Sequence, residues 1–358
     1  MKIAIVVGTR PEIIKMAPIV RACIERRTPY LLLHTGQHYS FEMDGVFFQE
    51  LGLPAPHRNL EVGSGSQAYQ IGSIVLGMEP ILVEERPDVL LVEGDTSSVL
   101  AAGLAANKLG IRVGHVEAGL RSYDRTMPEE INRLLTDQLA DYLFAPTESS
   151  RRILLGEGVQ PERIFVTGNT VVDELLLQRP RAERAEVFER FGVARGAFAL
   201  ATVHRAENVE NETRLRGIFG GLSRAGRALG LPVLAALHPR TQKKLAALGL
   251  EAGDGVRFLP PLGYMDFLGL HAGAALVLTD SGGLQEEACT LRVPCVTLRD
   301  NTERPESVEV GANVLAGADP AAIERQARTM HGRPRDWENP YGDGRSGLRT
   351  VDILLKGR

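Results

Sequence analysis

Aromatic residues make up only 5% of this 358-residue chain, with one tryptophan, and there are just three cysteines. Cys23, Cys289 and Cys295 sit in apolar surroundings without CxxC spacing, which excludes a disulfide framework and leaves them as small core residues. Charge of one sign is scarce too. A formal net charge of −4 excludes a surface built to track nucleic-acid phosphates, so any anion site must be local and no nucleic-acid partner is expected. No apolar run approaches membrane-spanning length, and MKIAIVVGTRPE enters a strand without a signal-peptide core or cleavage site, so a soluble cytoplasmic protein is expected. Neither GxGxxG after a strand nor GxxxxGK[ST] occurs. Their absence excludes nicotinamide or flavin binding of the dinucleotide type and a P-loop, and no cofactor is expected. His115-x-Glu117 is too little for a metal site, so no metal is expected either.

What the sequence does have is alternation. Short β-rich runs alternate with longer helical patterns, the mark of βαβ units around a parallel sheet. A first series of strands is KIAIVV (2–7), YLLLHT (30–35), VLLVEG (89–94), VGHVEA (113–118), YLFAP (142–146) and IFVTG (164–168). The charged stretch QRPRAERAEVFERFG (178–192) then forms a linker and helix. A second series follows with FALATVH (198–204), PVLAALH (232–238), VRFLP (256–260), AALVLTD (274–280) and CVTLR (295–299). The length exceeds what one core usually supports. The fold class expected is therefore α/β, with two doubly wound Rossmann-like domains, residues 1–177 and 178–345, before a C-terminal segment 346–358.

In open α/β sheets, ligands bind beyond the carboxyl ends of the strands, where loops and helix N-termini converge. The loop after the first strand holds Arg10, with Pro11 suited to the first helical position and Lys15 one turn further on. Later strand ends carry Asp95, the stretch His115 to Arg121, His204-Arg205, His238 and Asp280-Ser281-Gly282-Gly283. Ser281-Gly282-Gly283 at a helix start offers backbone N–H groups, little side-chain obstruction and a positive dipole end, which suits a phosphate oxygen. The plainer alternative is that Asp280 or Ser281 caps the helix and the glycines only make the turn. Arg10, Lys15, His204-Arg205 and Arg304 on one crevice between the domains favour a diphosphate. Glu287, inside the helix, is placed to grip the two hydroxyls of a ribose, whereas Glu286, rotated by about 100°, reads as a surface charge.

The stretches GTRPEIIKMAP (8–18), VEGDT (92–96), HVEAGLRS (115–122), MPEEINR (127–133), DSGGLQEEA (280–288) and RDNTERPE (299–306) resemble, in order and spacing, the non-hydrolysing UDP-N-acetylglucosamine 2-epimerases. The likeness runs from Lys2 to about Gly347. It implies a glycosyltransferase-B-like fold with the active site in the interdomain cleft and the last helix, GLRTVDILLK (347–356), packed back on the first domain. It implies interconversion of UDP-N-acetylglucosamine and UDP-N-acetylmannosamine without redox cofactor or metal, and a homodimer is expected. By the same resemblance, Arg10, Lys15, His204, Ser281, Gly282, Gly283, Glu287 and Arg304 contact uridine diphosphate. Phe267 and the backbone at Leu262 lie beside the uracil. Asp95, Glu117, Glu129 and Arg133, with His204, are the catalytic set. The segment TGQHYSFEMDGVFF (35–48) resembles a subgroup that is also similar to enzymes acting on a diacetamido uronic acid. Some members bind a second substrate molecule as activator, which makes Gln37 and His238 candidate regulatory residues, although Ser64 stands where those members can carry an arginine.

These residue types suit the implied chemistry. Carbon 2 of the sugar bears an unactivated C–H, so an activating step must precede proton removal. Loss of UDP from carbon 1 acidifies that proton and leads to a glycal with a planar carbon 2. Such a route needs a cationic cradle for the leaving group and an acid or base on each face of the sugar. Each candidate also has a purely structural reading: Asp95 as a helix N-cap, Glu129 and Arg133 as an i,i+4 pair, His204 as a polar strand end. Glu117, between Val116 and Ala118 on an apolar strand, is costly to bury unless paired or functional. A glycosyltransferase using the same nucleotide-sugar groups and an epimerase of the uronic acid are the alternatives.

Overall fold

The computed structural model describes residues 1–36 and 41–357. The chain divides into two compact units, Met1–Glu174 with Tyr341–Arg358, and Leu175–Pro340. The first division falls inside the helix Thr170–Ala182, and the chain re-enters the first unit at Tyr341, ahead of the final helix.

In the first unit, seven parallel strands form one sheet: β1 (Ile3–Val7), β2 (Tyr30–His34), β3 (Arg58–Asn59), β4 (Val89–Glu93), β5 (Arg112–Val116), β6 (Tyr142–Ala145) and β7 (Ile164–Val166). Their order is β3-β2-β1-β4-β5-β6-β7. Helices cover both faces, so β1 and β4 are buried throughout and read as apolar runs, broken only at the last residue of β4, Glu93. One face packs on Ile74, Met78 and Leu82 of the helix Gln67–Glu85 and on the alanines 101, 102, 105 and 106 of Ser97–Lys108. The final helix, Ser346–Lys356, lies on the helix Arg10–Glu25. Glycine is required at 347, because a Cβ there would come within 2.7 Å of the Pro18 backbone. The Asp173 carboxylate caps that helix, accepting from Ser346 N and Gly347 N at 3.0 and 2.8 Å.

The second unit repeats the plan with β8 (Ala199–Thr202), β9 (Val233–Ala236), β10 (Val256–Leu259), β11 (Leu276–Thr279), β12 (Cys295–Thr297) and β13 (Asn313–Leu315), in the order β10-β9-β8-β11-β12-β13. Its core joins Ile218, Phe219 and Leu222 to Ile323, Ala327 and Met330 over one face of the sheet. In both sheets the strand order reverses between the first strand and the fourth, at β1/β4 and at β8/β11. Loops leaving those strands part in opposite directions and open a crevice at the carboxyl edge. The three cysteines are buried and unpaired, and burial pushes their thiols up to about 12.

Every strand expected from the sequence is present, with ends trimmed by a few residues. The sequence reading missed β3 and β13, the outer strands at one edge of each sheet. No described helix is long and apolar enough to cross a membrane.

Candidate active site

In the first unit, three loops leave the crevice edge after β1, β4 and β5. The β1 loop turns at Gly8-Thr9 into the helix Arg10–Glu25, which Thr9 caps with Pro11 in the first turn. Buried Glu12 ties this loop to the next one. Its carboxylate accepts from the backbone N–H of Gly8 and, at 3.2 Å, of Thr9, while Thr96 Oγ1 donates to its other oxygen at 2.6 Å. Burial pushes the Glu12 carboxyl up to about 7, against the pull of the Thr96 hydroxyl and the two amides. The Arg10 guanidinium lies over the Phe47 ring, 4.8 Å from its centroid.

Lys15, one turn into the helix, reaches the other two loops. Its ammonium donates to both oxygens of Glu117 at 2.8 Å and lies 2.9 Å from Glu93 Oε1. Asn169 Nδ2 donates to Glu117 Oε1 at 3.2 Å. Glu117 is 8% exposed and has φ of +67°. A side chain in the left-handed region costs about 1 kcal/mol or more, and such strain gathers at functional positions. A buried network behind Glu117 holds this backbone in place. His115 lies 2.6 Å from Asp137 through Nδ1 and 2.8 Å from the Gly94 carbonyl through Nε2, and Arg121 donates to Asp137 at 2.7 Å. Burial opposes ionisation of Asp137, but His115 and Arg121 bring its carboxyl below the ordinary range.

Asp95 takes the Arg133 guanidinium, which also donates to Glu130 Oε2 at 3.0 Å. The i,i+4 pairing of Glu129 with Arg133 is therefore not what the structure has. Glu130, buried, takes the arginine along with Ser122 N, Ser122 Oγ and Tyr123 N, and Glu129 is exposed. Asp95 is not an N-cap either, since Thr96 occupies that position of the helix Ser97–Lys108. Asp95 and Glu129 share a cleft of about 380 Å³ with Ser64, Gln67, Gln70 and Asn132.

In the second unit, Ser281 is the N-cap of the helix Gly282–Thr290, its Oγ accepting from Leu284 N at 3.5 Å. The first-turn amides that follow have no carbonyl within the helix to meet. The space a side chain would take at Gly283 is open, and a Cβ at Gly282 would lie 3.4 Å from Glu303 and 3.8 Å from Arg205. Asp280, fully buried, organises the β8 loop. It accepts from His204 N at 3.0 Å, Arg205 N at 3.0 Å and Asn208 Nδ2 at 3.1 Å, and lies 2.9 Å from His204 Nδ1. Burial resists its ionisation, but His204 and the other donors outweigh that and lower its pKa.

Glu286 corrects the sequence reading. It is fully buried and ion-paired with Arg304, itself 7% exposed, and is not a surface charge. The loop carrying Arg304 is fixed further by Gln285, whose Oε1 accepts from Thr302 Oγ1 at 2.6 Å. Arg299 grips Glu303 at 2.9 and 3.0 Å, and although burial works against it, the surrounding arginines bring Glu303 down to about 2. Glu287 is partly exposed, with fully buried His271 behind it at 3.4 Å. Phe267 stands half-buried in the helix Tyr264–Gly273, its ring 5.9 Å from that of His271, and Leu262 precedes the helix. His238 is the N-cap of Pro239–Ala247, and burial, then His204 and Arg240, lower its pKa. Gln37 lies outside the described residues.

The crevice edge of the first unit thus carries carboxylates, and that of the second a helix N-terminus with arginines nearby. Residues 22–355 match the family profile described as UDP-N-acetylglucosamine 2-epimerase. The chain belongs to the UDP-N-acetylglucosamine 2-epimerase family. It is thus an epimerase, and so an isomerase, with a glycosyltransferase-B-like fold. Among its relatives, the UDP-N-acetylglucosamine 2-epimerase of Methanocaldococcus jannaschii is 48% identical across the whole of both chains. A crystal structure of that enzyme in complex with UDP-GlcNAc and UDP superposes with a TM-score of 0.92. The Neisseria meningitidis epimerase bound to UDP-GlcNAc, 33% identical over 99% of this chain and 100% of its own, gives 0.90. A UDP-2,3-diacetamido-2,3-dideoxy-D-glucuronate 2-epimerase of Pseudomonas aeruginosa is 40% identical over 99% of this chain and all of its own.

Several residues that hold these edges together were not singled out from the sequence: Glu12, Glu93, Asp137, Asn169, Glu303 and His271. Glu93 stands at the end of an apolar strand, the same signal that drew attention to Glu117. The others come from separate elements, and no local spacing marks them.

Proposed function

We propose that the protein inverts carbon 2 of UDP-N-acetylglucosamine to give UDP-N-acetylmannosamine through a 2-acetamidoglucal. The bond from carbon 1 to the diphosphate breaks with both electrons leaving on UDP. A carboxylate takes the carbon 2 proton, and the electrons of that C–H bond become the double bond between carbons 1 and 2. A proton delivered to the opposite face and return of the UDP oxygen to carbon 1 close the cycle, so nothing is oxidised or reduced overall.

In this scheme the diphosphate takes the Ser281, Gly282 and Gly283 end of the helix, His204, Arg304 and Arg10, the ribose takes Glu287, and the uracil takes Phe267 and Leu262. Asp95, Glu117 and Glu129, with Arg133, serve the two faces of the sugar. Lys15, expected on the phosphate, also lies against Glu117 and Glu93, which supports a share of its charge going to the carboxylates. The observation that carries the reading is Glu117, a carboxylate 8% exposed and held in a left-handed conformation at a strand end. Lys15 and Asn169 offset the burial of that charge, so the strained backbone at a strand end is what supports a functional role.

The test is incubation with UDP-N-acetylglucosamine in D2O, followed by proton NMR. UDP-N-acetylmannosamine carrying deuterium at carbon 2 is expected, without added NAD or metal. Substrate returned undeuterated rejects the elimination for this sugar. The diacetamido uronic acid is then the sugar to try, since a relative acting on it is 40% identical, against 48% for the Methanocaldococcus enzyme.

The protein is further proposed to be a homodimer. Tyr69, Leu76 and Val83 stand seven residues apart on the helix Gln67–Glu85 and are 56, 72 and 53% exposed, an apolar stripe along one helix face. Leu76→Glu should halve the mass read by light scattering, and an unchanged mass would remove this face from the interface.

A further inference from the structure

Glu93 closes β4, is 2% exposed, and has no part in the scheme above. It faces Glu117 across a single ammonium, with Lys15 Nζ 2.9 Å from Glu93 Oε1 and 2.8 Å from Glu117 Oε2. The groups converge from three elements: Lys15 from the helix Arg10–Glu25, Glu117 from the turn after β5, and Glu93 from β4. With both carboxyls ionised, two buried negative charges would share one positive charge, and a dry site disfavours the second ionisation. Glu117 is the better solvated by donors, since it takes Lys15 at both oxygens and Asn169 as well. Burial, the largest influence on Glu93, raises its pKa well above the usual carboxylate range, and Glu117 adds to this against the pull of Lys15.

We propose that Glu93 is a positioning residue that keeps the proton of this three-group cluster, so that the Lys15 charge is left to Glu117 and Glu117 stays ionised in one orientation. The inference rests on the reading that Glu117 works at carbon 2. It makes Glu93 the origin of an alkaline limb in the rate profile. As pH rises and Glu93 loses its proton, a second carboxylate competes for Lys15 and repels Glu117, and turnover falls.

The experiment measures kcat and KM against pH for the wild-type enzyme and for Glu93→Gln, which fixes the neutral form. The variant should keep kcat within about threefold near neutral pH, keep KM, and lose the alkaline limb. A folded variant that retains the wild-type limb, or that loses more than about tenfold in kcat near neutral pH, overturns the proposal. Should the glutamine variant fail to fold, Glu93→Asp decides. It keeps an acid but draws it back from Lys15, so the limb should move in pH, and an unmoved limb overturns the proposal. Failure of the underlying reading looks different: wild-type enzyme would then leave carbon 2 undeuterated in D2O, and the inference falls with it.

Discussion

Glu117→Gln should lower kcat by about 10² to 10⁴-fold, the range over which a positioned acid or base acts, with little change in KM or in affinity for UDP. The substitution keeps the shape of the side chain and its bond from Asn169 while removing the charge that Lys15 neutralises at 2.8 Å. KM should hold because Glu117 is not among the groups proposed to hold the nucleotide, most of which, Arg10 apart, belong to the other unit. Exchange of the carbon 2 proton with D2O should fall in parallel with turnover, because both need the same proton transfer. If turnover stays within about tenfold of wild type, Glu117 is not the acid or base and its strained backbone has another purpose.

The places where such residues can stand were legible in the sequence, because buried parallel strands leave unbroken apolar runs that stop at polar residues. Val7 is followed by Gly8-Thr9-Arg10, Thr279 by Asp280-Ser281, and these stops fall at the switch points of the two sheets. The short edge strands β3 and β13 leave no such trace. β3 pairs only through Arg58 and Asn59, and a two-residue strand half in solvent has no reason to be apolar. β13 is three residues, Asn313–Leu315, with its asparagine bonded to Thr297, Gln285 and Ser307, so it reads as loop.

Side-chain partners were legible only where chain neighbours decide them. The spacing of Glu129 and Arg133 permits a helical pair, but Asp95 arrives from the β4 loop and Glu130 lies one residue closer in sequence, and together they take the guanidinium. Glu93 offered the same signal as Glu117, a carboxylate ending an apolar strand. What lifted Glu117 out was the resemblance of its surrounding motif, while the bond from Lys15 to both carboxylates belongs to three separate segments. Glu286 and Glu287 could not be ranked by rotation about the helix, because the cation that buries Glu286 sits on a loop beyond β12.

That cation supports the other large expected effect. Arg304→Met should destabilise the protein by about 3 to 5 kcal/mol, because it leaves the fully buried Glu286 carboxylate without its charged partner. The double variant Glu286→Leu/Arg304→Met should recover most of that loss, since a buried ion pair replaced as a pair by hydrophobic residues of similar volume is often close to neutral. Denaturant unfolding of the two variants reads the difference. Titration with UDP reads something else. If Arg304 also meets the diphosphate, a charge-assisted bond of about 1.5 to 3 kcal/mol is lost in both variants, a weakening of roughly 10- to 150-fold in Kd. Restored folding would not repair it. A double variant that regains both stability and UDP affinity would make Arg304 a structural tie for the loop, and would leave the diphosphate to the first-turn amides of the helix Gly282–Thr290, to His204 and to Arg10.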